Sequence, residues 1–157
     1  MTGDAAISLE IRAAQPADAD AIADCVRRAY AKYVPRIGRL PKPMQANYAR
    51  AIETHQLWIV DGEGDAAAVL ELIPQDDHLL IENVAVDPTR QGSGLGRKLM
   101  AFAEEEGRRQ GFRELRLYTN EKFVENIAFY GKLGYVATER QPYKESVVVF
   151  MCKPLEA

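Results

Sequence analysis

The segment that most restricts the fold is an apolar strand followed closely by a glycine-rich turn and a helix. Residues 79–86 are apolar on both faces except at Glu82 and Asn83, a pattern typical of a strand in the centre of a sheet. After a polar break, three glycines alternate through residues 92–96, and apolar residues at helical spacing begin at Leu95. A buried strand that leads through glycines into a helix predicts an α/β domain.

The flanking segments supply enough further elements for one such domain. Alternating apolar residues predict strands, and apolar residues three and four apart predict helices. The predicted strands cover residues 9–12, 57–60, 66–72, 79–86, 115–118, 135–136 and 146–151. The predicted helices cover 44–54, 95–110 and 124–133, and a first one opens at 15–18 and ends before Pro35. Because no internal repeat, low-complexity segment or linker interrupts this order, residues 1–157 are predicted to form a single domain.

The composition argues against several classes of protein. The chain is 47% hydrophobic and 27% charged, which is a globular rather than a disordered mixture. Its formal net charge of −3 does not favour a broad electrostatic surface for nucleic acid or an anionic membrane. The N-terminal residues show no signal-peptide pattern, and no apolar stretch is long enough to span a bilayer. We therefore expect a cytoplasmic protein.

The few cysteines and histidines do not indicate a metal site. There are two of each, at scattered positions, whereas a structural zinc site needs four ligands at short paired spacings. Cys25 falls on the apolar stripe of a predicted helix, and Cys152 follows an apolar run. Both are therefore predicted to be buried core thiols, and no metal is expected.

The glycine segment is suited to binding a phosphate. Without side chains, the backbone amides and the following helix N-terminus can approach an anion closely, and Arg90, Arg97 and Lys98 add positive charge nearby. A Walker A loop requires Lys-Ser/Thr after its last glycine, but residues 97–99 are Arg-Lys-Leu. The G-x-G-x-G spacing also departs from the dinucleotide fingerprint G-x-G-x-x-G. Dinucleotide binding and a glycine turn without any ligand are the alternatives to another phosphate-bearing cofactor.

Two motifs in sequence order resemble the GNAT N-acetyltransferase family. Residues 84–88 (Val-Ala-Val-Asp-Pro) and 91–96 (Gln-Gly-Ser-Gly-Leu-Gly) resemble its strand and Q/R-x-x-G-x-G/A signature, and residues 126–135 resemble its FY-x-x-x-G-F/Y helix. The resemblance implies an α/β (α+β) fold with a central mixed, mostly antiparallel, splayed sheet flanked by about four helices. It also implies that an acetyl group passes from acetyl-CoA to a primary amine by direct attack in a ternary complex.

The resemblance assigns the cofactor to the strand and the glycine segment. In the family, the pantetheine arm pairs with the exposed backbone of the central strand, and the pyrophosphate lies on the glycine amides. Asn126 lies one helical turn before Tyr130 on the same face, where its amide could contact the cofactor, whereas the position of the family's usual asparagine is Phe123 here. The positions implied for acetyl-CoA are Val84, Ala85, Val86, Gln91, Gly92, Ser93, Gly94, Leu95, Gly96, Arg97 and Asn126.

The resemblance implies two catalytic residues. Tyr130 occupies the family's tyrosine position beside the CoA sulfur, where a protonated phenol can donate its proton to the departing thiolate. Family members with a carboxylate base carry it at the position of Leu80, which is apolar here. Strand alternation would put Glu82 on the same face as Leu80 and Val84, so Glu82 is the candidate base. Its alternative role is to bind the substrate ammonium electrostatically.

The substrate cleft implied by the resemblance lies between the first two helices and the loop before the last strand. Arg36 and Arg39, in a proline-bounded loop, are candidates for holding a substrate carboxylate or phosphate, and Tyr143 is a candidate wall residue. We expect a small-molecule or peptide amine as partner, and a homodimer through residues 147–151 is one arrangement that the apolar pattern allows. The alternative functions are an acyl-CoA-binding sensor without turnover and a nucleotide-binding oxidoreductase.

Overall fold

The computed structural model describes residues 10–156, in which seven strands form one sheet flanked by helices. The strands are β1 (Ile11–Ala13), β2 (Gln56–Asp61), β3 (Ala66–Pro74), β4 (Leu79–Val86), β5 (Glu114–Asn120), β6 (Val136–Tyr143) and β7 (Ser146–Pro154). The helices are α1 (Ala19–Tyr30), α2 (Val34–Ile37), α3 (Tyr48–Thr54), α4 (Leu95–Arg109) and α5 (Val124–Lys132). Leu9, predicted to begin the first strand, and the N-terminal residues without a signal pattern lie outside the described range.

The sheet is mixed and mostly antiparallel, which confirms the predicted fold class. Its strand order is β1-β2-β3-β4-β5-β7-β6, and only β4 and β5 are parallel neighbours. Because β7 pairs with β5 on one side and β6 on the other, residues 147–151 are internal to the sheet. The sequence was compatible with this strand either pairing with a second chain or lying inside the sheet, and the structure shows the second arrangement.

The sheet opens between its two parallel strands. β4 pairs with β5 only where Leu79–Ile81 lies beside Leu115–Leu117. Beyond these residues β4 continues to Val86 and β5 to Asn120, with no pairing between them. Strands that stop pairing leave backbone N–H and C=O groups free to bind another extended chain. The predicted splay thus places an open strand edge next to the glycine segment.

A bulge in β4 changes which side chains face each side of the sheet. The register between β3 and β4 shifts at Glu82, which has no partner on β3. Ile81 before the bulge and Val84 after it pack against the same core, although strict alternation would place them on opposite faces. Glu82 instead meets Tyr118 on the other side. The prediction that Glu82 and Val84 share a face is therefore wrong, because alternation fails across a bulge.

An apolar core lies on each face of the sheet. On one face, α1 buries side chains spaced three and four apart, and these are Ile22, Cys25, Val26 and Ala29. On the other face α4 packs closely, and a Cβ at Gly107 would lie 2.8 Å from Leu155 Cδ1. The prediction of a core thiol is confirmed for Cys25. Cys152 is partly exposed, with Sγ 3.2 Å from Glu114 Oε2, so the same prediction is wrong for it.

Two predicted boundaries differ from the structure. The first helix ends at Tyr30 rather than just before Pro35, and Pro35 lies in the first turn of α2, where its missing N–H has no helical role. β6 extends from Val136 to Tyr143 instead of covering only residues 135–136. Every residue of β6 is exposed, so the strand has no apolar alternation that a sequence could reveal. In residues 10–156, no helix is long and apolar enough to cross a membrane.

Candidate active site

The glycine segment presents free backbone amides at the start of α4. Gly92 and Gly94 adopt left-handed backbone, with φ values of 86° and 85°, which residues with a side chain disfavour. Since α4 begins at Leu95, the amides of its first turn have no helical carbonyl to bind. Upstream, the ion pair of Asp87 with Arg28 of α1, at 3.0 Å, anchors the turn. The result is a positive helix end open to an anion.

A cavity of about 470 Å³ lies beside these amides, and we call it the glycine-loop cavity. It extends along the open edge of β4 and is bounded on its far side by α5. The predicted cofactor residues that line it are Val84, Ala85, Val86, Gln91, Gly92, Gly94, Leu95, Gly96, Arg97 and Asn126. Ser93 does not line it, because its hydroxyl turns back to the carbonyl of Arg90. The structure thus brings ten of the eleven predicted positions to one surface.

A second cavity, of about 270 Å³, occupies the opening between β4 and β5, and we call it the Glu82 cavity. The loop before α3 covers it with Arg39 and Lys42, and the end of β6 contributes Tyr143. Tyr118 of β5 lines it beside Glu82. The cavity therefore gathers side chains from segments that are far apart in the sequence.

The two cavities meet at a small set of shared side chains. Tyr30, Val84, Asn126 and Tyr130 line both of them. Tyr130 is 8% exposed, and burial raises the pKa of its phenol well above the ordinary value. The phenol therefore keeps its proton throughout the neutral range. A reacting atom placed at this junction would have a proton donor beside it.

Glu82 is held in a chain of polar contacts. The hydroxyl of Tyr118 donates to Glu82 Oε1 at 2.9 Å, and the ammonium of Lys42 donates to the Tyr118 oxygen at 3.0 Å. Lys42 Nζ also lies 3.5 Å from Glu82 Oε2. The hydrogen bond to Tyr118 is the main cause that raises the pKa of Lys42, so its ammonium stays charged. Glu82 is thus a half-buried carboxylate that already has an ammonium as its partner.

Asn83 connects the bulge of β4 to the helices that cover it. Its side chain is buried, accepts from the Tyr30 hydroxyl at 3.0 Å and donates to the Tyr48 oxygen at 3.1 Å. Tyr48 in turn donates to the backbone oxygen of Pro43 at 2.6 Å, in the loop that carries Lys42. A buried amide with both groups satisfied holds these elements in register. Its position in an otherwise apolar strand was the only sequence signal for this role.

The structure separates the two predicted substrate arginines. Arg39 lies 5.7 Å above the ring of Tyr143, and both line the Glu82 cavity. Arg36 instead makes two hydrogen bonds to Glu125, at 2.6 and 2.7 Å, and does not line that cavity. Between them, Gly38 adopts left-handed backbone (φ 71°) and turns the chain. Gly38 marks a turn in the sequence, but the partner that each arginine reaches depends on the packing of the loop against β6 and α5.

Lys42 and Tyr118 belong to the site but were not predicted to act there. Lys42 is one of several charged residues in a proline-rich loop, and Tyr118 lies on a predicted strand, so neither position indicates such a role by its local pattern. The Lys42–Tyr118 contact joins residues 76 positions apart, and the Tyr118–Glu82 contact joins residues 36 positions apart. In the described part of the chain, no group of three or more potential metal ligands is positioned around a common point.

Comparisons with known proteins agree with this architecture. Escherichia coli ribosomal-protein-S18-alanine N-acetyltransferase superposes with a TM-score of 0.76 at 23% identity, over 94% of each chain. An aminoglycoside 6'-N-acetyltransferase solved with coenzyme A superposes with a TM-score of 0.73 at 14% identity, over 94% of this chain and 98% of that one. At these identities the likeness establishes the fold alone.

Sequence matches extend the comparison to the family level. Glucosamine 6-phosphate N-acetyltransferase of Trypanosoma brucei brucei is 43% identical over 61 residues, which are 39% of this chain and 40% of that protein. The curated relatives are matched over only 21% to 51% of their lengths. A sequence model described as "Acetyltransferase (GNAT) family" matches residues 23–135, which include both cavities' shared strand and helix. With most of its length matched in this way, the chain belongs to the GNAT acetyltransferase family.

Proposed function

We propose that the protein transfers an acetyl group from acetyl-CoA to a primary amine by direct attack in a ternary complex. The observation that carries the proposal is the meeting of the two cavities at Tyr130 and Val84. One cavity has the free amides and open strand edge suited to a long phosphate-bearing cofactor, and the other has a carboxylate suited to an ammonium. Two substrates bound in this way would have their reacting ends at the same junction.

The residues of the glycine-loop cavity fit acetyl-CoA. Its pyrophosphate would bind the amides of residues 92–97 and the guanidinium of Arg97, and its extended pantetheine arm would pair with Val84–Val86. When bound, acetyl-CoA supplies an activated carbonyl carbon and a thiolate leaving group.

Glu82 and Tyr130 would manage the two proton transfers. The amine enters as an ammonium, displaces Lys42 from Glu82 and loses a proton to the carboxylate, directly or through water. A backbone amide near Val84 would donate to the carbonyl oxygen as it gains negative charge. Tyr130 would then donate its proton to the departing sulfur as the C–S bond breaks, for which its raised pKa is suited because the phenol is protonated at neutral pH. The second proton lost by the attacking nitrogen would return to the Tyr130 oxygen, so that the products are the amide and the free CoA thiol.

The names of the similar proteins do not identify the acceptor. They indicate a sugar phosphate amine, an alanine of ribosomal protein S18 and an aminoglycoside. These amines differ in size, charge and polarity, and all three are named as acceptors of an acetyl group. The shared chemistry supports amine acetylation, while the acceptor must be inferred from this chain's own cavity.

The test is a screen of primary amines with acetyl-CoA that measures free CoA thiol and confirms the acetylated product by mass spectrometry. We expect thiol release that depends on both the protein and an amine. Thermal stabilisation by CoA without thiol release for any amine would contradict the enzyme proposal and support a sensor. Stabilisation by NAD but not by CoA would contradict both the acetyltransferase and the acyl-CoA sensor, and would support a nucleotide-binding oxidoreductase.

We also propose that the protein is cytoplasmic and that it forms a homodimer. The two cysteines of the chain are free thiols, which is compatible with a reducing compartment. Since β7 is paired on both sides, a dimer would have to use a different surface. Fractionation of cells and light scattering on the purified chain would test the two proposals separately.

A further inference from the structure

The Glu82 cavity contains one more positive than negative side chain. Its charged lining residues are Arg39, Lys42 and Glu82. Lys42 and Glu82 face each other at 3.5 Å and together are neutral. Arg39 has no carboxylate within ion-pair distance among residues 10–156, whereas Arg36, three positions earlier, pairs with Glu125. The cavity therefore keeps one guanidinium whose charge the described protein does not neutralise.

Arg39 is held in place by an aromatic surface rather than by an acid. Its guanidinium carbon lies 5.7 Å from the centre of the Tyr143 ring, and Lys144 Nζ lies 5.5 Å from the same centre. Contact with a ring leaves the N–H groups at the edge of the guanidinium available to an acceptor. The side chain is half-buried, so it is partly desolvated before any ligand binds. This arrangement is typical of a prepared site for a carboxylate or phosphate.

Much of the lining of the Glu82 cavity is apolar. The apolar side chains that line the cavity include Ile37, Pro41, Leu117, Val148 and Phe150. Glu82, which our proposed function assigns to the amine, lies on β4, while Arg39 lies in the covering loop. A ligand that satisfied both charges would have a cationic end, a hydrocarbon body and an anionic end.

We propose that the acceptor is a primary amine that also carries an anionic oxygen group, a carboxylate or a phosphate, and that Arg39 binds this group. The inference rests on the proposed function, because it assumes that Glu82 receives the amine. It assigns specificity to Arg39 and excludes Arg36, whose guanidinium is already occupied by Glu125. Polyamines, and amines that carry no anionic group, should be poor acceptors, because they leave the Arg39 charge without a partner.

The experiment compares acceptors that share one alkyl chain and differ only at the far end. The set contains an amino carboxylate, its methyl ester, the aminoalkyl phosphate, the amino alcohol and the diamine, each assayed with acetyl-CoA. We expect kcat/KM for the carboxylate or the phosphate to exceed that for the ester, alcohol and diamine by about 10-fold to 100-fold, as for a charge-assisted hydrogen bond. The better of the two anionic acceptors identifies the group that Arg39 binds.

The variants are Arg39→Gln and a matched control, Arg140→Gln. Arg140 is exposed, pairs with Glu121 and does not line either cavity, so its substitution removes the same charge elsewhere. Arg39→Gln should remove the preference for anionic acceptors, mainly by raising their KM. The kcat/KM values for the ester and the alcohol, which lack a charge at the far end, should stay the same. Arg140→Gln should retain the preference. Thermal stabilisation by the anionic amines in the presence of CoA provides a measurement that does not require turnover.

The outcomes separate failure of the inference from failure of the proposed function. Turnover of neutral amines as good as that of anionic ones, or an equal loss for both in Arg39→Gln, would overturn the inference and leave the acetyltransferase proposal intact. No turnover of any amine, together with stabilisation by anionic amines that Arg39→Gln abolishes, would overturn the proposed function and retain the anion site. Neither turnover nor stabilisation would overturn both.

Discussion

The glycine-loop cavity and the Glu82 cavity share Tyr130 but are built in different ways. The first is formed mainly by one stretch, residues 84–97, together with the end of α1, the residues just after it, and α5. The second is formed by side chains from a loop, two diverging strands and the end of a hairpin. The difference implies that the first cavity can keep the same ligand while many side chains vary, whereas single substitutions can change what the second accepts.

The strongest test of the comparison between the two cavities is at Tyr130, which lines both of them. Replacing Tyr130 by Phe removes the proposed proton donor while keeping the ring, so kcat should fall about 1,000-fold, within the range known for general acid catalysis. KM for acetyl-CoA should change little. Because burial raises the pKa of Tyr130, the wild type should show no loss of kcat from phenol deprotonation below about pH 10. Steady-state kinetics across pH would measure both effects.

Tyr135→Phe is the matched control for the junction. The Tyr135 hydroxyl is buried without a hydrogen-bond partner among the described residues, and the residue does not line either cavity. Its removal should leave kcat unchanged and should not lower the melting temperature, since an unsatisfied polar atom is lost. Equal losses of kcat in both variants would mean that Tyr130 acts only by packing.

Within the Glu82 cavity, Glu82→Gln should lower kcat/KM for the amine about 100-fold near neutral pH, as expected for loss of a general base. The variant's rate should keep rising with pH, because only amine already deprotonated in solution can react. KM for acetyl-CoA should be unaffected, since Glu82 does not line the glycine-loop cavity. A rate-versus-pH profile of unchanged shape would remove Glu82 from the base role.

In the glycine-loop cavity, Gly94→Val should weaken acetyl-CoA binding by about 30-fold, equivalent to about 2 kcal/mol for a lost charge-assisted contact. A branched residue at φ 85° is strained, so the turn should move away from the geometry that presents its amides. Gly111→Val imposes the same strain at φ 85° beyond the other end of α4, away from both cavities. The control should lose stability but keep its KM for acetyl-CoA, and equal KM values in the two variants would contradict the assigned cavity.

The smallest expected effect is at Lys42. An acceptor ammonium must replace the Lys42 ammonium beside Glu82, and an ion pair whose lysine is largely exposed is worth little. Lys42→Met should therefore lower KM by about twofold to fivefold for amines that carry no charged group besides the ammonium. KM for acetyl-CoA should stay unchanged. An increase in KM for those amines would show that Lys42 assists the acceptor rather than competing with it.

The amino-acid sequence determined the elements whose signals are local. The glycine segment, the apolar strand before it and the Tyr130 helix are contiguous patterns, and ten of eleven predicted positions came together beside one cavity. Backbone conformation at glycines and burial of a central strand are decided within a few residues, so short motifs report them. The family resemblance rested on these same segments.

Tertiary structure decided the acceptor side of the molecule. The bulge at Glu82, the turn at Gly38 that parts Arg36 from Arg39, and the fully exposed β6 leave no periodic trace in the sequence. The contacts of Lys42 and Tyr118 with Glu82 join segments that meet only when β4 and β5 diverge. A charge partner depends on distances in space rather than along the chain, and those distances are fixed only by the packing of the whole sheet.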